Sequence, residues 1–279
     1  MINDFKNSII TKKNYEDILK VDDYYEGRWE YYTEIINQLK TLEDIHSVLE
    51  FGPYKLPFVK GSDIIDVVDD YKDDFPFEIG KFIVHDCSQL PLPIEDNKYD
   101  LVLACQVIEH LGLYGEQIEL FKELERISKK VIIISLPYLW HRPVRRDHHM
   151  IDRKMILRWT GGKVPSYEKI SGQRNSRRIL QIYDPNAEAV GDEEYMKKVK
   201  NQDDKIFLKD TYFYKKHLKE IRQLKKSKED LSKKYDSLNE EKQSLELENE
   251  KLLKEINVLK NTASWKVTKP LRDVKNKLR

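Results

Sequence analysis

A chain of 279 residues, 39% hydrophobic and 35% charged, is long enough for one sizeable domain with a further segment attached. Its 50 basic and 49 acidic residues leave a formal net charge of +1, which excludes the global positive field of a nucleic-acid binder and makes any charge argument local. No window approaches 18 apolar residues and the stretch "MINDFKNSII" has no apolar core, so a cytoplasmic protein without secretion signal or membrane span is expected.

The average composition hides a division. Residues 1–215 hold nearly all the aromatic residues, Gly and Pro, whereas Lys, Glu, Leu, Ser and Asn dominate from 216 onward. Only the first part has the side chains for a mixed core. Its two cysteines, Cys87 and Cys105, lack metal-ligand spacing and sit in or beside apolar runs, as buried free thiols do.

In chain order, residues 14–40 place Trp29, Tyr32, Ile35, Ile36 and Leu39 at helical spacing, an amphipathic lead-in helix. Short apolar runs follow: "SVLEF" at 47, "DIIDVV" at 63, "KFIVH" at 81, "YDLVLAC" at 99 and "KVIIISLP" at 130. Continuous rather than alternating runs predict strands buried on both faces of a parallel sheet. Between the last two, "GEQIELFKELERIS" puts Ile118, Phe121, Leu124 and Ile127 on one helical face, a crossover helix. Further on, "SYEKIS" and "RRILQIY", joined by "GQRN", predict a closing antiparallel hairpin. The class is α/β.

Within that frame the first run ends in Glu50-Phe51-Gly52-Pro53-Tyr54. An acid and a glycine turn at a strand end let the backbone pass close under a cofactor, with free N–H groups expected from a following helix. One glycine alone is a weak signal. The second run ends in Asp66, placed to accept hydrogen bonds from ribose hydroxyls, with Asp69 as its rival; the third ends at Asp86.

"VLEFG", "DIIDV", "HDCSQLPLPIEDNKYDLVLACQVIEHL" and "VIIISLP", in this order over residues 45–183, resemble the class I S-adenosylmethionine-dependent methyltransferases of the type 11-like, small-molecule kind. The resemblance implies a Rossmann-like, mostly parallel seven-stranded sheet with helices on both faces, and S-adenosyl-L-methionine as cofactor. Residue by residue, it places Glu50 and Gly52 at the methionine part of the cofactor, Asp66 at the ribose, and Asp86 with Cys87 at the adenine edge. Gln106 and Glu109 fall where the family closes the pocket; the plainer alternative is that Glu109 and His110 cap a helix. Tyr54 stands where the family has a second glycine. If that position needs a positive φ, the cost is about 1–2 kcal/mol against about 8 kcal/mol for micromolar binding, which weakens a cofactor site without abolishing it.

After the fifth run, "LPYLWHRPVRRDHHMID" carries His141, His148 and His149 at the sheet edge where open α/β folds bind ligands. They are candidate bases for a hydroxyl acceptor, and Arg142, Arg145 and Arg146 candidate clamps for a phosphate or carboxylate. A metal site completed by Asp147 or Asp152, and a purely structural loop, are the alternatives; no metal is assigned. Upstream, "YYEGRWEYY" either lays Tyr25, Arg28 and Trp29 over the cofactor or packs a helix on the sheet by its aromatics.

From 216 the period becomes seven. Leu224, Leu231, Leu238, Leu245, Leu252 and Leu259 form one series, and Ile221, Lys228, Tyr235, Lys242, Asn249 and Ile256 the other. This predicts a long C-terminal α-helical coiled coil, and the polar members favour a parallel homodimer. Residues 261–279 hold six Lys or Arg against one Asp, with Leu271, Val274 and Leu278 on one face beyond Pro270, a basic amphipathic tail suited to peripheral contact with an anionic membrane.

The expected division is therefore 1–44 helical lead-in, 45–215 methyltransferase domain, 216–260 coiled coil and 261–279 tail. Such a head with a heptad rod and a terminal "SWKVTKPLR" is also similar to bacterial enzymes of cell-surface polysaccharide synthesis, which implies O-methylation of a sugar or related small-molecule or glycan acceptor. A non-catalytic scaffold of the same fold, acting through rod and tail, is the alternative. No nucleic-acid partner is expected.

Overall fold

Where the sequence has continuous apolar runs, the chain forms strands, buried on both faces at the centre of the sheet but not at the edge, where Phe82 and Ile83 are only half-buried and Val84 is exposed. The computed structural model describes residues 2–112, 115–140, 150–173, 176–189, 193–262, 266–268, 270 and 273. It divides into two compact units, Met1–Asp210 and Thr211–Arg279.

The first unit opens with helices α1 (Phe5–Ser8), α2 (Lys12–Leu19) and α3 (Trp29–Leu39), followed by strands β1 (Val48–Phe51), β2 (Asp63–Asp66), β3 (Phe82–Val84) and β4 (Tyr99–Cys105). Then come α4 (Glu116–Ile127), β5 (Ser128–Pro137), α5 (Arg153–Trp159), β6 (Tyr167–Ser171), β7 (Arg178–Tyr183) and α6 (Glu193–Asn261). The strands make one seven-stranded sheet in the order β3-β2-β1-β4-β5-β7-β6. β1 to β5 pair in parallel, and β7 runs antiparallel between β5 and β6, so the expected closing hairpin is present. This is a Rossmann-like α/β sheet.

Alternate residues of each central strand supply opposite faces. On one, Val102, Ala104, Ile132 and Ile134 pack with Leu120, Phe121 and Leu124 of α4 and with Ile156 and Trp159 of α5. On the other, Leu101, Leu103, Ile133 and Leu180 pack with Tyr32, Ile35, Ile36 and Leu39 of α3 and with Ile9, Ile10 and Tyr15 before it.

Two sequence expectations change here. The lead-in helix over 14–40 is interrupted: α2 stops at Leu19, Asp22 caps a 3-10 turn by accepting from the Tyr24 N–H (3.0 Å), and Gly27 takes φ +70° before α3 starts. An α-helix cannot hold that glycine conformation.

The helix expected after Gly52 is also absent. Residues 52–62 run from β1 to β2 without helical structure, and no α-helix lies in the β2–β3 or β3–β4 links, 67–81 and 85–98. Eleven residues containing Pro53 and Pro57 leave no room for a helix between two turns. The face they would cover is filled from upstream, by α1–α3.

Side-chain anchors hold these helix-free links. Glu50 is 1% exposed, and its carboxylate accepts from the N–H groups of Phe58 (2.7 Å) and Val59 (2.8 Å) and from Ser62 Oγ (2.9 Å). Arg126 of α4 donates to the carbonyls of Ile94 (2.7 Å) and Leu92 (3.2 Å), fixing the chain before β4.

At the other edge, Arg153, 3% exposed, joins three elements. It pairs with Glu168 of β6 at 2.7 Å, donates to the Tyr138 hydroxyl at 3.0 Å, and pairs with Asp203 of α6. Arg177 pairs with Asp210 at 2.8 Å, both buried.

Removing one partner of a buried pair leaves the other charge desolvated. Arg153→Ala is expected to lower the unfolding free energy by about 3–5 kcal/mol, checked by chemical denaturation.

Burial pushes the Glu50 carboxyl up to about 7 from an ordinary 4.5, against the three hydrogen bonds that hold it down. A raised folded value binds the proton more tightly than the unfolded chain, so this contribution is complete below about 4.5 and is lost as pH rises through about 7. Thermal unfolding of wild type and Glu50→Gln should show a larger advantage for wild type at pH 5 than at pH 8.

Candidate cofactor and acceptor site

The strand order reverses between β1 and β4, and the carboxyl ends of these strands open the crevice in which such sheets bind ligands. Glu50, Gly52 and Pro53 after β1, and Cys105 and Gln106 after β4, line a pocket there, with Tyr24, Tyr31 and Tyr32 forming its wall from the N-terminal segment.

Gly52 takes φ +50°, and its N–H donates to the Ile65 carbonyl at 2.9 Å, tying β1's end to β2. A Cβ there would sit 3.6 Å from Asp66 Oδ2, so glycine is favoured by backbone conformation rather than by space. Glu50 lines the same pocket, but both its oxygens already accept hydrogen bonds from the β1–β2 link.

Tyr54 does take a positive φ, +54°. Its ring lies 5.0 Å from Tyr24 and 5.2 Å from Tyr71, and is stacked on Tyr25 at 6.2 Å. Aromatic pairs contribute about 0.5–1.5 kcal/mol each, enough together to offset the backbone cost of about 1–2 kcal/mol.

Asp66 ends β2 beside Gly52. Its Oδ1 accepts from the Val67 N–H (2.6 Å) and its Oδ2 from the Tyr71 hydroxyl. Asp69, its rival in the sequence, is paired with Lys72 at 3.6 Å, both half exposed. Asp86 follows β3 and accepts from the Ser88 N–H at 2.8 Å, which helps hold its carboxyl below the usual range.

Burial, then the charges of Asp66 and Asp86, push the Cys87 thiol up to about 12. The fold thus brings Asp66, Asp86 and Cys87 together from two neighbouring strand ends. Gln106, at φ +62°, closes the end of β4, its N–H on the Ser135 carbonyl (2.7 Å) and its amide on Ser135 Oγ (3.2 Å).

Glu109 lies in a 3-10 turn, Ile108–His110, and is 2% exposed. Its charge acts on two groups: it pushes the Cys105 thiol up, behind burial and Glu50, and it supports the charged form of Arg178.

The stretch around residue 28 divides its roles. Tyr25 is fully buried in the core and Trp29 packs 4.8 Å from Tyr15, whereas Arg28 stays half-buried, its Nε donating to the Tyr24 carbonyl (2.6 Å) and its guanidinium 3.9 Å over the Tyr24 ring.

His141, His148, His149, the arginines at 142, 145 and 146, and Asp147 lie outside the described residues. Asp152 is described and caps α5 by accepting from the Met155 N–H at 2.8 Å. Among the described residues no cluster of His, Cys, Asp or Glu has metal-binding geometry.

Sequence reasoning missed Tyr71, Tyr31, Trp140 and Arg178. Tyr71 sits in an acidic link with no periodicity. Arg178 reads as the start of a strand, and only the antiparallel pairing of Arg178 with Pro137, the last residue of β5, carries it to the carboxyl edge of the parallel strands.

Residues 61–133 match the family model of a methyltransferase domain. No curated protein matches the chain. Among solved structures, the PH0226 protein of Pyrococcus horikoshii is similar at 17% identity, over 63% of this chain and 100% of its own, with a TM-score of 0.45. The N-methyltransferase NodS of Bradyrhizobium japonicum, solved with S-adenosyl-L-homocysteine, is similar at 13% identity, over 56% of this chain and 86% of its own, TM-score 0.45. The magnesium protoporphyrin IX methyltransferase of Synechocystis, solved with S-adenosylmethionine, is similar at 13% identity, over 58% and 81%, TM-score 0.44. The matched segment begins in the β1–β2 link and runs into β5, taking in Asp66, Asp86, Cys87, Gln106 and Glu109. The match over residues 61–133 supports a methyltransferase domain, with S-adenosyl-L-methionine as its cofactor.

Proposed function

We propose that the protein is an S-adenosyl-L-methionine-dependent methyltransferase that O-methylates a sugar or related small acceptor in the synthesis of cell-surface polysaccharide. The observation that carries the methyltransferase reading is the meeting of Gly52, Asp66, Asp86 and Cys87 at the carboxyl ends of β1, β2 and β3, beside a pocket that opens between β1 and β4. The residues present fit the cofactor. Asp66 and Asp86 would hold its ribose and adenine ends, and the Gly52–Gln106 pocket its methionine end, with Arg28 near the wall for the carboxylate.

When bound, the cofactor supplies an electrophilic methyl group on a sulfonium. The chain has to align an acceptor hydroxyl with it and remove the hydroxyl proton. His141, His148 and His149, on the segment between Trp140 and α5, are the proposed bases. The sugar assignment rests on the likeness of the rod and terminal "SWKVTKPLR" to surface-polysaccharide enzymes.

The rod supports a second part of the proposal. Within the second unit Leu224, Leu231, Leu238, Leu245, Leu252 and Leu259 are each about half exposed or more, between 49% and 70%, an apolar stripe along α6 left uncovered among the described residues. A parallel homodimer would cover it. The tail from 261 is the proposed site of peripheral membrane contact. Among the described residues no helix is long and apolar enough to cross a membrane.

Titration calorimetry with S-adenosylhomocysteine should show saturable binding, weakened at least tenfold by Asp66→Ala; a folded protein that takes up no heat at millimolar ligand sinks the reading. Sedimentation should give a dimer that becomes monomeric when Leu238 and Leu245 are both replaced by Lys, and a monomeric wild type would refute the zipper.

A further inference from the structure

Near Tyr31, one of the residues that line the pocket, lies a second polar group that the proposed reaction has not used. Arg178 is half-buried at the carboxyl edge of the sheet, its guanidinium 4.4 Å over the Trp140 ring and 5.9 Å from the Tyr31 ring centroid. Its Nη1 donates to the Arg177 carbonyl at 3.1 Å, while its Nε is buried and has no hydrogen-bond partner among the described residues.

A buried guanidinium N–H without an acceptor is costly unless something meets it. Burial most disfavours the charged form of Arg178; Tyr31 and Glu109 support it, and Arg28 is near enough for its charge to act in the same direction as burial. Trp140 is fixed by its own Nε1, which donates to the Arg177 carbonyl at 2.8 Å. The Tyr31 and Trp140 rings thus flank a guanidinium whose Nε–H edge has no acceptor among the described residues.

We infer that Arg178, set between Tyr31 and Trp140, binds an oxyanion carried by the methyl acceptor, a phosphate or a carboxylate, and so selects acidic acceptors. The planar guanidinium offers donors in the geometry such a group takes, and desolvation between two rings strengthens the contact. Its place beside Tyr31 of the pocket wall, on a strand separated from β2 and β3 by β1, β4 and β5, sets the anion apart from the proposed ribose and adenine subsite. This rests on the methyltransferase reading for the word acceptor, but the anion site itself does not need it.

Inorganic phosphate and acetate are the probes, titrated by calorimetry into the full-length protein with and without saturating S-adenosylhomocysteine. Wild type should bind at least one of them at millimolar concentration or tighter. Arg178→Gln should weaken that binding at least tenfold while S-adenosylhomocysteine affinity stays within twofold, and Arg178→Lys, which keeps the charge, should recover part of it. Phosphate preferred over acetate marks a phosphorylated acceptor, and the reverse a uronic-type acid. The inference is overturned if wild type binds neither anion, if Arg178→Gln and Arg178→Lys bind anions as wild type does, or if Arg178→Gln instead loses S-adenosylhomocysteine tenfold, which would assign Arg178 to the cofactor's own carboxylate. Wild type that binds the anion through Arg178 but takes up no S-adenosylhomocysteine would refute the proposed function and leave the anion site standing.

Discussion

The buried carboxylate of Glu50 is the constraint on which the rest of the site depends. A parallel crossover without a helix has few ways to satisfy its backbone N–H groups away from water, and here one side chain takes two of them and a serine hydroxyl besides. That grip folds residues 52–62 back under the N-terminal helices, and the turn it leaves at Gly52 and Pro53 lines the pocket. Had the link carried the usual crossover helix, α1–α3 would have had no apolar face of the sheet to cover. The aromatic wall of Tyr24, Tyr31 and Tyr32 would then have had no seat beside the strand ends.

Much of this was legible in the residues. The continuous apolar runs announced strands covered on both faces, because only such strands need no polar side. The last two runs announced a hairpin through their spacing. Asp66 and Asp86 were readable because an acid directly after a buried run sits at a strand's end in any parallel sheet. What was not legible depended on pairings distant in sequence. Arg178 is an ordinary strand-opening residue until β7 is known to lie antiparallel against β5. Tyr71 has no pattern around it, and its meeting with Asp66 follows from the turn after β2 alone. The missing helix did leave a signal that the glycine-centred reading passed over: two prolines in eleven residues are incompatible with a crossover helix.

The chain combines two ways of making structure. In the first unit order comes from a core of large aliphatic and aromatic side chains, with charged groups held either in pairs, such as Arg153 with Glu168 and Arg177 with Asp210, or by backbone N–H groups, as Glu50 is. In the second, residues 211–261 are helical and almost every described side chain is exposed, and their amphipathic stripe alone gives an isolated helix little reason to persist. Burial of that stripe in an assembly would supply what the sequence does not supply locally.

The hydroxyl of Tyr71 on the carboxylate of Asp66 has a consequence for exchange at the site. A ligand that claims Asp66 through a sugar hydroxyl replaces one hydroxyl donor with another, so the acid is never stripped of a partner on the way in or out. In methyl transfer the donor and the spent nucleoside carry the same ribose, so the swap lowers the hold on both alike. On the proposed function, departure of the product would be assisted by a side chain returning to its place, and discrimination between donor and product would be left to the sulfonium end of the pocket.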